Sequence, residues 1–230
     1  MELIASGVVK AVVLLARGDP EILQITWLTL KISGLATLLS VLIGIPLGFF
    51  LGLNVFRGRK VFISLVNTGM GLPPTVVGLW VSIFLWRSGP LGSFGLMYTP
   101  AAILIAQLII ALPLVIGLTI AAVQQISPKL RLQLLALGAS RWQFFWLLLR
   151  EARLALLAAV MAGFGGVISE VGASMMVGGN VKGYTRVLTT ATVMEVSKGN
   201  FDVAIAISLI LLLLAYLATL GLTMAQQKGS

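Results

Sequence analysis

The chain has 230 residues, of which 59% are hydrophobic and only 10% charged, with a mean hydropathy of +1.07. A soluble domain carries about a quarter charged residues, so this composition describes a polytopic, all-α membrane protein. The absence of cysteine and histidine excludes disulfides, thiolate metal sites and the commonest acid–base side chain. The net charge of +9 comes from basic residues scattered between apolar segments. That pattern sets membrane topology and forms no long stripe for nucleic acid, so no nucleic-acid partner is expected.

From the amino terminus, residues 3–16 are apolar but short, are interrupted by Lys10, and follow no positive stretch. The sequence therefore predicts an amphipathic interfacial helix over residues 1–17 rather than a signal peptide. Windows of about twenty apolar residues, the length that crosses a hydrocarbon core of about 30 Å, place five spans near residues 22–53, 61–86, 99–123, 154–177 and 201–222. They form a five-helix core over residues 22–224 in one domain, 1–230. The first span is long enough to tilt, and Lys31 within it is expected to snorkel to the interface.

Four spans carry helix breakers or small residues at membrane depth: Gly44, Pro46 and Gly48; Pro73, Pro74 and Thr75; Pro113; and Gly163, Gly165, Gly166 and Gly172. Such residues either interrupt a helix, which needs protein neighbours or a wet cavity, or let helices approach closely. Four interruptions together predict a moving bundle, with Pro73, Pro74, Thr75, Glu170 and Gly172 as candidates for a translocation path or gate. Glu170 is the only acid deep inside a span, Asp202 standing at the edge of the fifth. It is expected to hydrogen-bond a neighbouring helix or a soluble partner, since a carboxylate repels an anion.

Residues 127–153 form a basic segment between the third and fourth spans, with Lys129, Arg131, Arg141, Arg150 and Arg153 against Glu151. Apolar residues recur at helical spacing on both sides of Gly138-Ala139-Ser140. Glycine permits a left-handed turn, so two short helices hinged at Gly138 are predicted, displaying a docking surface for a soluble partner on the cytoplasmic side. Further on, residues 178–183 offer an anion-binding backbone nest or a contact loop. They are not a nucleotide loop, because G-x-x-x-x-G-K-S/T needs a lysine where Tyr184 stands.

A cytoplasmic 127–153 loop puts nine cations inside (Arg57, Arg59, Lys60, Lys129, Arg131, Arg141, Arg150, Arg153, Lys228) and six outside (Lys10, Arg17, Arg87, Lys182, Arg186, Lys198). The amino terminus is then outside and the carboxyl terminus cytoplasmic. Only residues 225–230 (AQQKGS) follow the last span, so feedback by an appended carboxyl-terminal domain is not expected.

Four strings in register carry a family resemblance: TLKISGLATLLSVLIGIPLG (29–48), GLPPTVVGL (71–79), LGASRWQFFW (137–146) and GFGGVISEVGASMMVGGNVKGYTRVLTTA (163–191). The chain resembles the membrane permease of an ATP-binding cassette (ABC) importer, within the molybdate, tungstate and sulfate group. Residues 150–153 (REAR) and 178–186 (GGNVKGYTR) are most similar to tungstate permeases. The resemblance implies a type I importer fold in the prokaryotic plasma membrane and a homodimer of this chain. It also implies two cytoplasmic ATPase subunits that bind the ATP, with no cofactor in this chain, and an external oxyanion-binding protein. Leu134, Leu135, Gly138, Ala139, Ser140, Arg141 and Trp142 would then couple to the ATPase, Leu130 and Leu137 would extend the docking face, and Asn180, Lys182 and Arg186 would contact the binding protein. Two positions depart from the family pattern: Leu132 replaces a frequent glutamate, and Arg150-Glu151 replace a Leu-Pro pair. The same architecture fits molybdate or sulfate. A stand-alone ion-coupled transporter leaves the basic loop unexplained, and a lipid-directed enzyme lacks clustered catalytic groups.

Overall fold

The structure is a computed structural model and describes residues 2–227; Lys228 lies outside them. Among the described residues every regular element is helical, as the composition predicts. Helix α1 (Glu2–Arg17) turns at Gly18 into α2 (Pro20–Leu53). Asp19 caps α2, its carboxylate accepting the N–H groups of Glu21 and Ile22 at 3.0 and 3.1 Å, while Pro20 fills the first helical position, where no donor is missed. The chain continues through α3 (Arg59–Met70), α4 (Pro74–Leu85), α5 (Pro100–Gln124), α6 (Pro128–Ala136), α7 (Arg141–Glu151), α8 (Arg153–Ile168), α9 (Gly172–Gly178), α10 (Leu188–Ser197) and α11 (Phe201–Gln227).

The centre of the bundle is the contact of α2 with α5. Gly44, Gly48 and Gly52, one turn apart on α2, lie on Val115, Thr119 and Val123, one turn apart on α5. A Cβ on these glycines would come 2.9 Å from Val115 Cγ1, 2.5 Å from Thr119 Cβ and 3.0 Å from Val123 Cγ1. Only a bare backbone fits there, and such close approach is how helices gain dispersion contacts where lipid removes the hydrophobic drive. Around this pair, α5 also meets α3, α4, α8 and α9. Gly69 of α3 sits on Pro113, and Gly163 of α8 on Val115. Two buried polar links join the elements: the Ser33 hydroxyl donates to the Gln107 side-chain oxygen at 3.2 Å, and the Thr29 hydroxyl accepts the Leu188 N–H at 3.0 Å.

Two of the four expected interruptions are not breaks. Helix α2 runs unbroken through Gly44, Pro46 and Gly48, and α5 through Pro113. The glycines serve close packing, and each proline is carried inside its helix without ending it. The other two interruptions are real. The expected second span is α3 and α4, bent by 103° at Gly71-Leu72-Pro73. The expected fourth span is α8 followed, after Ser169-Glu170-Val171, by α9; α8 alone has 16 residues, about 24 Å of helix, too short to cross. Helices α7 and α8 meet at Ala152 with a 73° bend. By length and composition three helices can cross a bilayer alone, and up to five crossings result if α3–α4 and α7–α8 each count as one.

The stretch expected to lie at the interface is helix α1, fastened to α11: Gly7 sits against Ile205, and Lys10 pairs with Asp202 at 2.5 Å. Its other face leaves Val8, Val9, Val12 and Val13 exposed. Lys31 is exposed on α2.

The glycine seat gives a direct test. Gly48→Ala is expected to lower stability by about 1–3 kcal/mol through overpacking against Thr119. Gly34→Ala, whose Cβ would meet nothing within 4 Å, is expected to raise stability by up to about 1 kcal/mol through helix propensity. Thermal unfolding of the two variants in the same detergent should shift in opposite directions.

Candidate functional site

The basic segment folds as the helical hairpin α6–α7. Its turn is built from backbone hydrogen bonds: Gly138 N–H donates to Leu135 O at 3.0 Å and Ala139 N–H to Leu134 O at 3.1 Å, with Gly138 left-handed at φ +73°. This pair of bonds closes α6 as a Schellman motif. Ser140 then opens α7 with a capping box: its hydroxyl accepts the Gln143 N–H at 3.3 Å, and the Gln143 side-chain oxygen accepts the Ser140 N–H at 2.9 Å. The angle between the two helices is therefore fixed by LGASRWQ itself.

The hairpin is anchored by its inner face. Leu130, Leu134, Phe144, Phe145 and the fully buried Leu148 pack on Phe49 of α2 and on Ala122 and Val123 of α5. Arg131 donates to the Val123 carbonyl at the end of α5, where the helix dipole favours a cation. The docking face expected from the sequence is corrected accordingly. Leu130 and Leu134 point inward, while the outward apolar surface is Leu132, Leu135, Leu137 (83% exposed), Trp142 (69%) and Trp146. Trp142 stacks on Phe145 and meets Trp146 edge-on, both at 5.9 Å between ring centroids. Leu132 and Trp146 were missed as surface contributors, although they lie three or four residues from Leu135 and Trp142. Ala139 and Arg141 line a groove of about 980 Å³ beside Trp142, running up to Pro46 and Phe50 of α2.

The gate candidates come together where the two broken spans cross. The turn before α4 brings Thr75 so close to the α8–α9 break that a Cβ on Gly172 would lie 2.7 Å from Thr75 Cγ2. One turn on, a Cβ on Gly78 would lie 2.7 Å from the Ala173 Cα. Pro73 and Pro74 open α4, Pro74 at its first position. Glu170 is only 6% exposed. Its carboxylate accepts the Ala173 N–H at 2.7 Å and so caps α9, and its main-chain carbonyl accepts the Thr189 hydroxyl at 2.8 Å. The expected bond to a neighbouring helix is thus made by the backbone of Glu170, while the carboxylate serves the start of its own segment. No ion pair involves Glu170 among the described residues.

At the opposite end of α2, about 45 Å along the helix from the hairpin, the loop after α9 is pinned from both sides. Glu21 receives Lys182 at 2.6 Å and Arg186 at 3.0 Å, and Gln24 donates to the Gly183 carbonyl at 2.9 Å. Val181 O gathers the N–H groups of Tyr184, Thr185 and Arg186, and the Val181 N–H donates to the Thr185 hydroxyl at 2.9 Å. Within the stretch suggested as an anion nest or contact loop, the Gly179 N–H is used by Met175 O and the Val181 N–H by Thr185. Lys182 is 67% exposed and Arg186 only 12%; Asn180 sits left-handed at φ +52°. Glu21 was not legible as their partner, since 165 residues separate it from Arg186.

The long helix α2 seated on the central α5, two broken helices crossing between the ends of the bundle and a short helical hairpin at one end define a permease of the type I importer class. A chain of the MetNI methionine ABC transporter in an inward-facing conformation has the same fold, with a TM-score of 0.76 and 20% identity, covering 92% of this chain and 99% of that one. The protein belongs to the family of binding-protein-dependent transport system inner membrane components, whose family model matches residues 44–228. It is 40% identical over 216 residues to the tungstate uptake system permease protein TupB of Peptoclostridium acidaminophilum, covering 94% of this chain and 95% of that protein. It is also 41% identical over 198 residues to a probable anion ABC transporter permease protein of Haloferax volcanii, covering 84% and 85% respectively.

The site geometry makes two predictions. Glu170→Gln keeps the acceptor oxygen that caps α9 and should unfold near the wild-type temperature, whereas Glu170→Ala should lose about 1–2 kcal/mol; equal loss in both would mean that the charge itself is needed. A Cβ at Gly138 would meet nothing within 4 Å, so only backbone strain matters there. Gly138→Val should cost about 1–2 kcal/mol in the turn and speed tryptic cleavage at Arg141, and Gly138→Asn should do neither.

Proposed function

We propose that this chain is the permease subunit of an ATP-driven tungstate importer. The observation that carries the reading is its similarity, over nearly its whole length, to a tungstate uptake permease. Two copies of the chain enclose the path, because five crossings are few to surround a hydrated anion. Two cytoplasmic ATPase subunits seat on the outward face of the α6–α7 hairpin, with Leu135 and Trp142 as apolar anchors and Gly138, Ala139, Ser140 and Arg141 shaping the contact. The chain itself hydrolyses nothing and holds no cofactor; ATP is bound by the partners.

In this reading the amino terminus is outside and the carboxyl terminus cytoplasmic in a prokaryotic plasma membrane. An external oxyanion-binding protein docks on the loop carrying Asn180 and Lys182, with Arg186 holding the loop to α2. Closure of the ATPases pulls the hairpin, which is anchored on the ends of α2 and α5. That displacement reaches the crossing of the broken spans, where Pro73, Pro74 and Thr75 face Glu170 and Gly172. Movement there opens the path to one side at a time.

The test is co-purification with the ATPase subunit, followed by hydrolysis assays with the binding protein loaded with tungstate, molybdate or sulfate. Retention of the ATPase and a rate that rises most with tungstate are expected. Trp142→Ala should weaken retention by about tenfold or more, as an interface anchor does. A chain that never retains an ATPase would sink the coupling assignment, and a larger response to molybdate or sulfate would move the substrate. Because the chain has no native cysteine, Ala139→Cys and Asn180→Cys should react with an impermeant thiol reagent from opposite sides of the membrane.

A further inference from the structure

The junction of α7 and α8 carries a cluster that the transport reading does not use. Arg150 lies in the last turn of α7 and Arg153 is the first residue of α8, on either side of the 73° bend at Ala152. Both are exposed, and among the described residues neither forms an ion pair. A cation suits the end of α7, but the helix dipole disfavours one at the start of α8. Nothing in α8 itself therefore accounts for Arg153.

The two arginines and Glu151 rim a groove of about 490 Å³ whose wall is Leu130 and Leu134 of α6, Leu147 of α7 and Leu154 of α8. Its volume falls in the range of small-ligand sites. One side is cationic and the other is a sheet of leucine. The groove lies at the membrane boundary, because the apolar run of α8 begins at Leu154, directly after Arg153. Helix α7 turns away there, and the Gln226 side chain at the end of α11 donates to the Leu154 carbonyl.

We propose that this groove binds an anionic glycerophospholipid. Its phosphate lies between Arg150 and Arg153, whose forked donors match phosphate oxygens, and an acyl chain runs over Leu147 and Leu154. Charge complementarity and membrane depth select this occupant: a phosphate anion joined to a hydrocarbon tail satisfies both sides of the groove, whereas a free anion satisfies one. Basic pockets between membrane helices hold lipid headgroups by the same physics. Glu151 limits the site to a headgroup that keeps its charge toward the arginines. The site needs only that the chain sits in a bilayer; that the cytoplasmic leaflet supplies the lipid rests on the orientation proposed above. A lipid held there braces the bend through which the α6–α7 hairpin is joined to α8.

The experiment uses the full chain in neutral detergent, with phosphatidylglycerol, phosphatidylcholine or inorganic phosphate added. The thermal midpoint should rise with phosphatidylglycerol and not with the other two. The rise should vanish in Arg150→Gln/Arg153→Gln and persist in Arg57→Gln/Lys60→Gln, which removes the same charge elsewhere on that end. An equal rise with inorganic phosphate, or an undiminished rise in the Arg150/Arg153 variant, would overturn the proposal. Should that variant fail to fold, cross-linking of a photoreactive phosphatidylglycerol to the wild-type chain decides: adducts within residues 147–154 support the site, and adducts confined to other segments refute it.

Discussion

The bare backbone of α2 at Gly44, Gly48 and Gly52, seated on Val115, Thr119 and Val123, is the constraint on which the other helices depend. In lipid, apolar side chains gain little by leaving their surroundings, so a stable contact must come from shape. The seat brings α2 and α5 into register over three turns. Because α5 also carries α3, α4, α8 and α9, the register chosen by three glycines positions both broken spans. Thr119 is the most confined point of this contact, fully buried beneath Gly48.

The two ends of the bundle are built differently. At the hairpin end, Leu134, Phe145 and Leu148 tie α6 and α7 to the tips of α2 and α5 by apolar packing. At the other end, Glu21 ties the loop after α9 to the start of α2 by charge. Between them, the crossing of α4 with α9 is close enough that Gly78 meets the backbone of Ala173. A shift at the hairpin thus has a continuous protein route along α5 and α8 to the crossing, and from there along α9 to the loop held by Glu21.

Legibility in the sequence followed how local each determinant was. The hairpin turn was readable because a glycine permits a left-handed turn locally, although the Ser140-x-x-Gln143 box that reinforces it was missed. The break before α4 was readable because Pro73 and Pro74 cannot continue a helix. The break at Glu170 has no proline, and its signals were a run of glycines and an acid within an apolar stretch. The glycines of α2 were left open between interruption and close packing, because glycine looks the same in sequence whether it frees a backbone or admits a neighbour. What lies opposite decides between the two, and Val115 is far along the chain. The inward turn of Leu130 and Leu134 was lost for the same reason: both faces of α6 are rich in leucine, and only the position of Phe49 separates them.

The turn at Gly138 has a consequence for association. Its angle is held by four short-range hydrogen bonds and by an inner face already packed on α2 and α5, so the exposed leucines and tryptophans are presented in advance of any partner. A surface ordered beforehand sacrifices little conformational entropy when it is covered. A partner of modest contact area can then be held without any refolding of the hairpin.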